Sequence, residues 1–142
     1  MCADAHTAPP LPCARVIEIP VRARDLDLLG HVNQSVFHEY LEELRAALFM
    51  RLFDGQLRPM VIARVELDYL HEVRRDHGFV RGESRVVEMG RSKVVTEDTI
   101  SLPDGTVAAR GRTYLVAWDP HERRSRVLSD EERASLQPSS DR

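Results

Sequence analysis

The chain changes its hydrophobic period once early on, and that change divides it. From Arg15 to Arg24 the apolar Ile17, Ile19 and Val21 alternate with Glu18, Pro20 and Arg22, the two-residue period of a half-buried strand. Pro20 has no N–H to give to a ladder, which points to an edge position or a bulge. From about Asn33 to Phe53 the period lengthens. Phe37, Tyr40, Leu41, Leu44, Ala47, Leu48 and Leu52 recur at intervals of three and four, one broad apolar stripe on a helix. Glu39, Glu42, Glu43, Arg45 and Arg51 fall largely off that stripe. Asn33 or Ser35 supplies an N-cap, and Gly55 a stop just past the last turn.

Beyond Gly55 the two-residue period returns. Val61, Ala63, Val65, Leu67 and Tyr69 alternate with Ile62, Arg64, Glu66 and Asp68, which predicts a two-sided strand. A turn over 74–78 leads into three more strand-like stretches, 79–89, 92–102 and 106–118. Gly90-Arg91 and Pro103-Asp104-Gly105 separate them, the latter a strong hairpin marker. Ser129 and Glu132 have the spacing of a capping box for a short final helix. The expected organisation is a flexible lead-in over 1–14, one domain over 15–128, and a short helix with a frayed tail over 129–142. A single helix with so wide a stripe must bury it, and the simplest solution is an α+β fold in which an antiparallel sheet of about five strands curls around the helix. Such an array leaves open edges and a back face, so self-association that extends the sheet is expected.

Composition narrows the function classes. The 142 residues are 42% hydrophobic and 30% charged, with a formal net charge of -3, an ordinary globular balance with no electrostatic pull toward nucleic acid. No apolar run approaches the roughly 20 residues of a membrane span, and the first dozen residues lack the basic start and apolar stretch of a secretory leader. The cysteines, Cys2 and Cys13, fall in the lead-in, where they read as free thiols of a reducing, cytoplasmic protein. His38, His71, His77 and His121 show no ligand spacing, so neither a metal nor a resident cofactor is expected.

The junction between first strand and helix holds the candidate chemistry. Asp25 and Asp27 precede Gly30, which frees the backbone to turn, and the helix then opens with N–H groups that lack intrahelical acceptors. A carboxylate beside a helix N-terminus pairs a base or nucleophile with ready-made donors for an oxyanion. Thioester cleavage suits so sparse a site, because a thiol with a pKa of about 8.5 leaves without strong acid assistance. On residue chemistry alone, however, the same junction reads equally as a capped structural turn.

The run Asp25-x-Asp27-x-x-Gly30-His31-Val32-Asn33, followed by Tyr40-Leu41-Glu42 and Arg45, resembles the signature of the hotdog-fold acyl-CoA thioesterases, in the branch of 4-hydroxybenzoyl-CoA thioesterase and the bacterial acyl-CoA thioester hydrolases. The resemblance extends from about Val16 to Leu128 and includes Leu67-Asp-Tyr69-Leu70 and Gly90-Arg-Ser92. It implies the hotdog fold, hydrolysis of an acyl-CoA to a free acid and coenzyme A, and a catalytic set of Asp27, Gly30, His31 and Gln34. Asp27 is implied as nucleophile or general base. Backbone amides from Gly30 through Gln34 polarise the carbonyl, with Gln34 the key amide, while His31 and Asn33 brace the loop and Asp25 orders it. It further implies a dimer or tetramer whose site lies between subunits, with Val61, Ile62 and Ala63 of a partner lining the acyl pocket and Arg91, Ser92 and Lys93 holding the coenzyme A tail. Two other readings share the framework: a thioesterase acting on an acyl-carrier protein, and a non-catalytic thioester-binding module. A hotdog hydratase is disfavoured, since its Asp/His or His/Glu pairs are absent.

Overall fold

The computed structural model describes residues 14–137. The expected lead-in, with both cysteines, and the last residues of the expected tail lie outside them. Ala14 already belongs to the first strand.

The described chain runs β1 (Ala14–Pro20), α1 (Gln34–Leu52), β2 (Met60–Tyr69), β3 (Phe79–Met89), β4 (Lys93–Ser101), β5 (Val107–Asp119), β6 (Arg124–Ser125) and α2 (Asp130–Leu136). The five long strands pair antiparallel in the order β1-β3-β4-β5-β2, and the short β6 pairs with β5. β1 and β2 are thus the sheet's two edges, and Pro20 ends an edge strand, where its missing N–H costs no ladder bond.

Helix α1 lies across the sheet's inner face because its stripe is buried there. Phe37, Tyr40, Leu41, Leu44 and Leu48 are enclosed. Of the two candidate caps it is Asn33 that acts, its side chain accepting from the Ser35 N–H at 3.0 Å. At the far end Gly55 takes a positive φ of 81° and returns its N–H to the Met50 carbonyl. The helix can sit this close because Gly82 lies beneath it: a Cβ there would come within 3.1 Å of Leu44. Gly111 is required for a different reason, since a Cβ on it would overlap the Glu66 carbonyl of β2.

Two expectations need correction. β2 does not alternate through its length, because a bulge between Ile62 and Arg64 inserts Ala63 as an extra residue. After it, Val65, Leu67 and Tyr69 pair with Thr113, Gly111 and Ala109; before it, Ile62 pairs with Leu115 and Val61 with Val116. The bulge therefore turns Ile62 to the inner face and Val61 to the outer one, reversing their sequence-based assignment. The second correction is Arg45, expected off the helix stripe but buried, with 7% of its surface accessible. It divides the core. One apolar cluster surrounds the first half of α1, with Val36, Phe37, Tyr40, Val80 and Ile100. Another surrounds the second half, with Leu48, Phe53, Val94, Leu115 and Leu136.

Between them lies a buried polar group. Asp98 accepts hydrogen bonds from the hydroxyls of Ser84 (2.6 Å), Thr113 (2.8 Å) and Thr96 (3.2 Å), and Arg45 Nη1 donates to the Thr113 oxygen at 3.2 Å. Burial pushes the Asp98 carboxyl above its usual range and the Arg45 guanidinium below its own. The short α2 closes the second cluster, with the expected capping box formed by Ser129 and Glu132. Among the described residues no helix is long and apolar enough to cross a membrane.

Candidate active site

The segment between β1 and α1 is held from both sides. A short 3-10 turn over Ala23–Asp25 delivers Asp25 into the interior. There its carboxylate accepts from the Arg22 N–H at 2.9 Å and the Tyr40 hydroxyl at 2.7 Å, and its carbonyl accepts from the Asn33 N–H at 2.7 Å. Asp25 thus ties the loop to the helix, and burial together with this carboxylate pushes the Tyr40 phenol far up.

Asp27 is placed differently, partly open to solvent at the loop's mouth. Its Oδ1 accepts from the N–H groups of Leu29 (2.8 Å) and His31 (3.1 Å). Its own N–H donates to the His31 carbonyl at 2.7 Å, and its carbonyl accepts from the Gly30 N–H at 3.1 Å. Gly30 makes this turn at a φ of 82°. Oδ2 has no partner among the described residues.

Counting donors sharpens the site. From Leu29 to Val36, the N–H groups of Leu29 and His31 go to Asp27 Oδ1, that of Gly30 to the Asp27 carbonyl, and that of Val32 to the Val73 carbonyl. Asn33 donates to the Asp25 carbonyl, Ser35 to the Asn33 side chain and Val36 to the Asn33 carbonyl. The Gln34 N–H alone in this run has no partner among the described residues. It stands at the positive end of a helix whose first turn carries no acidic residue. A free carboxylate oxygen and a free backbone donor therefore border one helix mouth.

The end of β2 and the loop following it form the other wall. Tyr69 Oη lies 3.5 Å from the Gln34 carbonyl and 3.4 Å from His38 Nε2, and its ring meets Phe37 edge-on at 5.2 Å. His31 and Arg74 form an isolated antiparallel bridge, and His31 Nε2 lies 2.7 Å from Glu72 Oε1. Leu28, Leu29 and Leu70 stand exposed around the mouth.

The remaining candidates lie at the opposite end of the sheet. Met60 pairs with Ala117, whose N–H also reaches the Ser92 carbonyl, so the start of β2 and the β3–β4 hairpin adjoin. Val61, Ile62 and Ala63 are exposed there. From Val61 to Tyr69 the strand covers about 26 Å, so a single chain does not bring Val61–Ala63 or Arg91–Lys93 to its own Asp27. Lys93 is tied to Glu88 at 3.0 Å and Arg74 to Glu72 and Asp76, whereas Arg91 and Arg75 have no side-chain partner among the described residues. Glu43 pairs with Arg22 at 3.2 Å rather than with Arg45. A concavity of about 600 Å³ lies on the outer sheet face among paired charges including Glu66, Arg85 and Glu97, away from Asp27. No group of three or more His, Cys, Asp or Glu among the described residues is placed to hold a metal.

Sequence reasoning missed Glu72 and the Asp98 cluster, and it named Tyr69 only as part of a strand and a matched segment. Asp98 was findable, since it falls in step with Val94, Thr96 and Ile100 on the inner face of β4. Glu72 sits in a loop and carries no such signal.

Comparison with known proteins gives this geometry a family. The model of the thioesterase-like superfamily matches residues 21–138. A thioesterase from Thermus thermophilus, solved with coenzyme A and zinc, is 33% identical, with a TM-score of 0.74 over 86% of this chain and 90% of its own. A predicted thioesterase from Bacillus stearothermophilus is 26% identical, with a TM-score of 0.78 over 87% and 94%. A 1,4-dihydroxy-2-naphthoyl-CoA thioesterase from Synechocystis shares the fold at 14% identity, with a TM-score of 0.72 over 87% and 95%. No significant match is found among curated proteins. The curled five-strand sheet around one helix is the hotdog fold, and the chain belongs to the thioesterase-like superfamily.

Proposed function

We propose that this chain hydrolyses an acyl-CoA thioester to a carboxylic acid and coenzyme A, with Asp27 as the reacting carboxylate and the Gln34 N–H as oxyanion donor. The observation that carries this reading is that Asp27 Oδ2 and the Gln34 N–H, the one N–H from Leu29 to Val36 in this position, both lack a partner among the described residues. Two routes balance. In one, Oδ2 attacks the thioester carbon, the thiolate leaves, and water hydrolyses the resulting mixed anhydride. In the other, Oδ2 takes a proton from a water that attacks the carbon directly, and collapse of the tetrahedral intermediate breaks the C–S bond and expels the thiolate, which takes up a proton. Either way negative charge develops on the carbonyl oxygen, where a fixed amide at a helix N-terminus stabilises it. Gly30 supplies the turn, and the His31 amide holds Oδ1. The coenzyme A found in the Thermus thermophilus relative supports a CoA-type substrate.

The working unit is a dimer joined along β2. A two-fold axis across that edge sets the start of one β2 beside the end of the other. It thereby carries the partner's Val61, Ile62 and Ala63, and the hairpin with Arg91, Ser92 and Lys93, toward Asp27. The unpaired Arg91 then suits a phosphate of the coenzyme A tail.

Thiol release from a panel of acyl-CoAs tests the chemistry. Asp27→Asn is expected to lower kcat about 100-fold or more while leaving the fold intact. Near-wild-type turnover in that variant refutes the assignment.

A further inference from the structure

Both hydrogen bonds that orient Asp27 Oδ1 come from its own loop, so whatever fixes the loop fixes the carboxylate. The loop is anchored sideways at Val32, whose N–H donates to the Val73 carbonyl at 2.7 Å, and at His31, which alone of the two also holds Asp27. The His31 N–H grips Asp27 Oδ1 at 3.1 Å, its carbonyl accepts from the Asp27 N–H at 2.7 Å, and its ring reaches out to Glu72 Oε1 at 2.7 Å. A carboxylate only accepts, so Glu72 requires a proton on the facing Nε2 and sets the orientation of the ring.

Glu72 is itself secured from behind. Its Oε2 accepts from Arg74 Nη1 at 3.0 Å, and the same guanidinium grips Asp76 through Nε at 2.9 Å and Nη2 at 3.2 Å. The backbone of Arg74 is fixed in turn, its N–H donating to His77 Nδ1 at 2.9 Å. Arg74 first and His31 second hold the Glu72 carboxyl below its usual range, so it remains an anion at neutral pH. A chain of contacts thus leads from the short 3-10 turn at Arg75–His77 to Asp27.

We propose that Glu72 is a positioning residue for Asp27, acting through His31. It rests on the reading of Asp27 given above. The pair is partly exposed, with 41% and 36% of the two side chains accessible, so it contributes little to global stability. Its effect falls instead on the aim of Oδ2, where small misplacements are costly in rate. That separates it from a merely structural contact.

The test compares Glu72→Gln, His31→Asn and the double variant in thiol release and thermal melting, with Asp27→Asn alongside. Glu72→Gln is expected to lower kcat about five- to tenfold with KM within about twofold of wild type and an unchanged melting temperature. The double variant should be no slower than His31→Asn alone, because the two residues act in one chain. If His31→Asn fails to fold, Arg74→Met replaces it and should lower kcat in the same direction. Wild-type kcat in Glu72→Gln, a loss seen only in KM, or multiplying effects in the double variant each overturn the proposal. Turnover retained by Asp27→Asn overturns it together with the reading of the site. An inactive Asp27→Asn beside a fully active Glu72→Gln overturns it alone.

Discussion

Replacing Asp98 by Ala should destabilise the protein by about 3 kcal/mol, and the figure follows from the cluster it would break. Asp98 is 1% accessible and is the acceptor for three hydroxyls. Removing one member of a buried charged pair ordinarily costs about 3–5 kcal/mol, because the other is left uncompensated. Here Arg45 reaches Asp98 through the Thr113 hydroxyl rather than by direct contact, which places the cost at the low end. For a chain of this size the loss corresponds to a fall in Tm of about 10 °C. The same physics makes a different claim about the double variant Arg45→Met with Asp98→Val. Removing both charges leaves no uncompensated ion and joins the two apolar clusters, but it also takes the shared acceptor from the buried Ser84, Thr96 and Thr113 hydroxyls. The double variant should therefore be less stable than wild type yet lose clearly less than the sum of its singles. Burial raises the Asp98 carboxyl in the folded state. The folded protein therefore holds that proton more tightly than the unfolded chain. The resulting stabilisation is present below the ordinary carboxylate range and lost as pH rises through the raised value. Asp98→Asn should accordingly compare worse with wild type in acid than at neutral pH. Urea denaturation of the singles and the double at two pH values checks each point. A loss under about 1 kcal/mol for Asp98→Ala, or a double variant as unstable as the sum of its singles, refutes the reasoning.

Glu132 should behave in the opposite sense. Arg126 grips it with two bonds at 2.7 and 2.8 Å and holds its carboxyl down to about 2. Its contribution is present above the ordinary value of 4.5 and lost as pH falls from there toward 2. Glu132→Gln should flatten that part of the stability–pH curve, and an unchanged curve would show that the pair does not act. At the sheet edge, Val65→Pro removes a ladder donor from the middle of β2. Sedimentation should find the variant monomeric and thiol-release assays inactive, whereas an active monomer would refute the shared site.

The period change at the strand–helix junction was legible because burial writes itself into spacing. Helix α1, the turns and the limits of β3 all follow from it. Arg45 was not legible, since a charged residue beside a stripe looks solvated until a buried counterpart is found on a strand far along the chain. The β2 bulge was hidden for a related reason: an edge strand of small and branched residues tolerates either parity, so alternation persists on paper where the backbone has slipped. Of the proposed site, Asp27 and Gln34 and the roles given to them, reacting carboxylate and key amide, came from the motif resemblance. The count of engaged amides adds a physical reason to prefer Gln34 over Gly30 and His31, and that reason was not legible, because hydrogen-bond partners several residues away are not encoded in spacing. Glu72 depends on two loops meeting, which no local pattern records.

The open edge of β2 carries a message about misassembly. A ten-residue strand with free backbone groups is a template for any extended chain, yet Arg64, Glu66 and Asp68 make this one selective. Two copies aligned antiparallel about Val65 set Arg64 against the partner's Glu66 on both sides of the axis. A slip of two residues one way opposes two arginines, and the other way two glutamates, each a destabilising like-charge pair. The bulge at Ala63 ends the regular ladder just beyond. An edge of this kind favours its own copy in one register over a slipped stack, so the edge that would join the proposed dimer would also keep the protein from growing into a fibril.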